Sequence, residues 1–108
     1  MKAWNVAEMD VDAHHPRVLV SESEGRVIAM QLPAGEKLAE HQVHERAWLY
    51  VVSGQVEIDD SDGETLGGGV GLLAEFNPNE RREVRAIVTS RILLILSPWP
   101  GDGHPSAR

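Results

Sequence analysis

Between Arg17 and Leu96 the chain is a succession of short apolar runs, each closed by glycine, proline, serine or an Asx turn. The runs are Arg17–Val20, Arg26–Leu32, Lys37–Val43, Ala47–Val52, Gln55–Asp59, Leu72–Phe76, Arg82–Val88 and Arg91–Leu96. Nowhere does an apolar period of 3.6 persist over the ten or more residues that a helix requires. Gln55–Asp59 alternates polar and apolar side chains, as a half-buried strand should. Many short strands with regular Gly and Pro punctuation leave an all-β barrel or sandwich as the only economical solution. Arg17–Val20 and Arg26–Leu32, joined across Ser21–Gly25, read as a hairpin.

At 108 residues the chain is one domain. A domain of this size buries roughly two thirds of the surface its unfolded chain exposes, enough for a core without staples. It divides into an N-terminal arm (1–16), a barrel (17–97) and a Pro/Gly-rich tail (98–108) expected to pack on or near the barrel, with Trp99 as the pin. The arm is read as extended up to His14–Pro16, an exposed connection. His104 in the tail is assigned to solvent.

Seventeen acidic residues against ten basic ones give a net charge of −7, which repels a phosphate backbone and excludes nucleic acid as a partner. The charges of Glu80–Glu83 cancel and read as a solvated turn. Without cysteine there is no disulfide, thiolate metal site or cysteine nucleophile. The start of the chain has no signal-like apolar stretch, and no run approaches the ~20 residues that span a bilayer. A cytoplasmic protein away from membranes is expected. No Gly-rich loop precedes a helix, and no serine nucleophile pattern is present.

The informative stretch is Gly35–Gly54, GEKLAEHQVHERAWLYVVSG, where a turn, a pair of histidines and the strongest strand signal follow one another. Alternation puts Leu49 and Val51 on one face and Trp48 and Tyr50 on the other. The acidic run Asp59–Glu64 lacks the ligand spacing of an EF-hand, so Asp62-Gly63 is assigned to a hairpin tip.

From Arg26 to about Leu96 the chain resembles the cupins, small double-stranded β-helix barrels of the jelly-roll type. Gly35–Gly54 is similar to their first motif and Gly71–Ala86 to their second. The resemblance implies a metal centre of three histidines and a glutamate. Carried over residue by residue, the first histidine is His41, the second falls on Val43, the glutamate on Ala47 and the last histidine on Arg82. Asn79 stands where the second motif has its turn glycine. One ligand in four remains, and Arg82 is a permanent cation.

The expected pocket is therefore metal-free, formed by His41, Val43, Ala47, Leu49, Val51 and Arg82, and suited to a small acidic or polar metabolite. The competing role for Arg82 is an internal ion pair with Glu45 or Glu75. Two alternatives stand beside the binding module. One is an enzyme of isomerase, lyase or dioxygenase type. It uses either a divalent transition metal on His41, His44 and Glu45 (with Glu83 or Glu75), or His41 as acid–base and Arg82 as clamp, helped by Tyr50, Glu45 or His44. The other is a structural or interaction domain with no ligand. The resemblance also implies a homodimer, for which Trp48 and Tyr50 on the outer face are the candidate contact.

Overall fold

The computed structural model describes residues 1–41, 44–60 and 62–97, with only the backbone for 39–41. Val43, Trp99, His104 and the side chain of His41 lie outside the described residues. Nine strands are present among them: β1 (Arg17–Glu22), β2 (Gly25–Leu32), β3 (Lys37–His41), β4 (Arg46–Ser53), β5 (Gln55–Asp59), β6 (Thr65–Gly69), β7 (Leu73–Phe76), β8 (Arg82–Ala86) and β9 (Ser90–Ser97). They form a five-stranded sheet ordered β1-β2-β9-β4-β7 and a four-stranded sheet ordered β3-β8-β5-β6, with every pair antiparallel.

The inner faces of the two sheets meet in one apolar core. Alternation sends Ala47, Leu49 and Val51 of β4 inward, with Val56 and Ile58 of β5, Val84 and Ala86 of β8, and Ile92, Leu94 and Leu96 of β9. Each fully buried Leu, Ile, Val or Phe contributes roughly 1.5–3 kcal/mol of transfer free energy, so this face fixes every register. β9 is apolar on both faces, with its outer residues half-buried.

Three details depart from the sequence reading. The N-terminal arm folds back instead of extending: the Glu8 and Met9 amides donate to the Asn5 carbonyl, and Arg91 holds the carbonyls of Val6 and Met9. Arg91 is itself aligned by Gln31, whose side-chain oxygen accepts from its Nε at 2.9 Å. β6 is a strand built on Thr65-Leu-Gly-Gly-Gly, a segment outside the apolar runs read from the sequence. β8 stops at Ala86, because Ile87 and Val88 lead exposed into the turn before Ser90.

The turns follow the assigned chemistry. Asp60 Oδ1 accepts from the amides of Asp62 (2.9 Å) and Glu64 (3.0 Å), and Gly63 sits at φ +84°. The acidic run thus spends its second carboxylate, Asp60, on the turn itself, as a hairpin tip does. Asn79 adopts φ 65°, the left-handed conformation its glycine counterpart would take. On the outer face of the four-stranded sheet Arg85 bridges Asp59 (2.5 Å) and Glu83 (3.2 Å), and holds the Asp59 carboxyl below the usual carboxylate range.

Candidate anion site at one end of the barrel

β8 enters the barrel at Arg82, and its alternation leaves no choice of face. Val84 and Ala86 must point inward to seal the core, so Arg82, two residues before Val84, points inward as well. The ladder places Arg82 opposite His41 at the end of β3. Phe76 ends β7 at the same end of the barrel and lies opposite Ala47 of β4.

Arg82 is 2% exposed, and none of its three guanidinium nitrogens has a hydrogen-bond partner among the described residues. Its guanidinium carbon lies 4.7 Å from the centre of the Phe76 ring. Burial pushes its pKa below the ordinary arginine value, and the charge of Glu80 pushes the other way. A desolvated cation–π contact is worth about 2 kcal/mol. Burying an ion without a hydrogen-bonded counter-charge costs several kcal/mol. The ring therefore offsets only part of the cost.

The internal ion pair expected for Arg82 does not form. Glu75 pairs with Arg46 at 2.9 Å, and the same Arg46 nitrogen donates to Asn77 Oδ1. Glu45 lies 3.6 Å from Arg26. Both carboxylates are drawn outward because β4 and β7 carry them on the face opposite Ala47 and Phe76, or in the connection before it. Glu80 is the compensating charge that acts on Arg82, and its carboxylate is turned to the Asn77 amide at 3.0 Å.

Of the other pocket residues, Ala47, Leu49 and Val51 are fully buried in the core cluster. The alternative metal set is dispersed over what is described of it: His44 is exposed, Glu45 pairs with Arg26, and Glu83 faces outward toward Lys37 and Arg85. No group of three or more His, Asp or Glu able to hold a metal is found among the described residues. At the two described positions where the cupin motif has metal ligands, Ala47 offers no donor and Arg82 offers a buried fixed cation. Those two residues do not fit a divalent ion, because the ion would add charge beside one already uncompensated.

Sequence reasoning missed Phe76 and Glu80. Phe76 is the chain's one phenylalanine and the last apolar residue before the Asn77-Pro78 turn. Its place at a strand end signalled core, and alternation alone did not signal that the next strand, in the other sheet, would bring a guanidinium over its ring. A recess of about 330 Å³ opens beside this end of the barrel, with Ile58, Ala74 and Phe76 in its apolar wall and Glu80 among the acids on its rim. None of its lining residues is Ala47, Leu49 or Val51.

Two facing antiparallel sheets closed over one core, with short turns and no helix among the described residues, define the double-stranded β-helix barrel of the cupins. No protein-family model matches the chain, and no curated protein sequence matches it. Solved structures do. An RmlC-like cupin protein from Desulfovibrio desulfuricans superposes with TM-score 0.80 at 16% identity, over 90% of this chain and 96% of the other. A conserved protein of unknown function from Streptococcus pyogenes gives 0.78 at 19% identity, over 93% and 90%. An uncharacterized conserved protein with a double-stranded β-helix domain from Klebsiella pneumoniae gives 0.77 at 18%, over 94% and 92%. The chain thus has the fold of a small cupin barrel, and likeness at these identities speaks to the fold alone.

Proposed function

We propose that this protein is a metal-free cupin barrel that binds a small carboxylate-bearing metabolite through Arg82. One observation carries the reading: a guanidinium 98% withdrawn from solvent with no hydrogen bond from the described residues to any of its three nitrogens. Buried polar groups are almost always satisfied, and the exceptions concentrate where a ligand completes them. A carboxylate fits the vacancy because its two oxygens match the parallel donors of the guanidinium fork. The Phe76 ring restrains the fork in advance, which lowers the ordering cost of binding.

Thermal melting against a panel of small mono- and dicarboxylates tests this directly. A ligand at a hundred times its dissociation constant should stabilise the fold by about 2.7 kcal/mol, and Arg82→Met should remove the response. Elemental analysis of the purified protein should find no stoichiometric transition metal. A panel without a single shift, or a metal at one equivalent, would contradict the reading.

We also propose a homodimer through the outer face of the five-stranded sheet. Register aligns Ala29, Leu93, Tyr50 and Leu73 in one cross-strand row, and Val27, Ile95 and Trp48 in the next. Leu73 is 60% and Tyr50 38% exposed, so the first row ends in open apolar surface, while the second ends at Glu75, which pairs with Arg46. These seven side chains are uncharged and the Glu75 at the end of the second row is neutralised by Arg46, so a chain of net charge −7 meets its own copy with least repulsion over this patch. Solution mass at micromolar concentration should be that of two chains, and Tyr50→Lys should return it to one. A wild-type monomer would dismiss the interface.

A further inference from the structure

The recess beside Arg82 bears on which carboxylate the site takes. It has an apolar wall that includes Ile58, Leu66, Ala74 and Phe76, and its rim carries Asp60, Glu64, Glu75 and Glu80. Two of these residues are also the immediate surroundings of Arg82. The Phe76 ring lies 4.7 Å from the guanidinium carbon, and Glu80 is the carboxylate acting on its charge. The cation and the recess thus share Phe76 and Glu80 as neighbours.

The rim would discourage a ligand that is only an anion. Arg46 neutralises Glu75, but Asp60 and Glu80 accept backbone N–H bonds, which orient their charge without cancelling it. A bare carboxylate approaching Arg82 past these groups meets repulsion in a partly dry site, where Coulomb terms are stronger than in water. A ligand that also carries an ammonium group turns the same rim into an attraction. We infer that the barrel's ligand is a small zwitterion, its carboxylate on Arg82 and its ammonium among the acids of the recess rim, Glu80 foremost. The inference rests on the carboxylate reading of Arg82 proposed above and narrows its substrate class from acids in general to amino-acid-like compounds.

Calorimetric titration of the full chain with butyrate, γ-aminobutyrate and butylamine tests it, because the three share a short alkyl chain and differ only in their charged ends. γ-Aminobutyrate should bind about tenfold tighter than either relative, an effect of the size that one partly desolvated ion pair supplies. In Glu80→Gln, whose amide oxygen can still accept from Asn77, that preference should shrink to about threefold or less. In Arg82→Met both acids should lose their binding. Butyrate binding as tightly as γ-aminobutyrate would overturn the zwitterion while leaving the carboxylate reading intact, and so would a preference unchanged by Glu80→Gln. Neither acid binding, or butylamine binding tightest with Arg82→Met unaffected, would overturn both.

Discussion

Arg82→Met is expected to raise the stability of this protein. The usual outcome of a large change at a fully buried position is a loss, from the cavity or strain it leaves. Here the wild-type side chain is itself the defect, a guanidinium 2% exposed with three unsatisfied nitrogens and one aromatic face for company. Methionine is slim, flexible and apolar, and its thioether packs well against a ring such as Phe76. Replacing buried charge by apolar volume has gained about 1–4 kcal/mol even where the charge was paired, so an unpaired one should gain at least about 2 kcal/mol. For a domain of this size that corresponds to a melting temperature higher by roughly 8–16 °C. Chemical denaturation of both proteins, without added ligand, checks it. A methionine variant less stable than wild type would mean that Arg82 already has a partner, and the binding proposal would fall with it. The predicted gain also explains why such a residue is tolerated: stability is surrendered at a place held ready for a ligand.

The barrel was legible because its evidence is local and repeated. Alternation in Ala47–Val52 and Gln55–Asp59 placed Leu49, Val51, Val56 and Ile58 inward, and the packed core confirms each of them. Asp62-Gly63 and Asn79 declared their turns through backbone chemistry that few other residues supply. β6 was not legible, since Gly67–Gly69 carry no side chains to alternate and its register is held by backbone bonds to β5. The inward place of Arg82 was legible from the second cupin motif and the two-residue period. Its isolation was not, because that depends on where Glu45 and Glu75 go. Their partners, Arg26 and Arg46, are brought to them by sheet pairing and by chain connections that no window of sequence contains. Phe76 stayed hidden for a different reason. It lies only six residues before Arg82, but the connection between them crosses from one sheet to the other. Strand alternation does not say which side chains then face each other.

Gly54→Ala should cost about 4 kcal/mol, enough to consume much of the stability of an ordinary small domain. Gly54 is the single residue by which the chain leaves β4 in the five-stranded sheet and enters β5 in the four-stranded one. The reversal needs φ +91°, where an L side chain costs about 1–2 kcal/mol on backbone grounds alone. The larger part comes from what stands behind it. A Cβ here would lie 2.3 Å from Ser90 Oγ and 2.7 Å from both the Ser90 Cα and the Thr89 carbonyl oxygen. Two of those three atoms are backbone, so no rotamer change relieves the clash. Nor is the turn free to retreat: Ser90 Oγ accepts from the Gln55 amide at 3.0 Å and lies 2.7 Å from the Val88 carbonyl, while Thr89 Oγ1 accepts from the Ala34 amide. Gly35 and Gly71 supply the control, with φ +81° and +96° and nothing within 4 Å of an added Cβ. Alanine at either should show the backbone penalty alone, about 1–2 kcal/mol. Urea midpoints for the three variants separate strain from collision. Equal losses at Gly54 and Gly35 would mean that the Thr89–Ser90 turn is not held against the β4–β5 hinge, and that the two sheets are joined there less tightly than the packing of Ser90 requires.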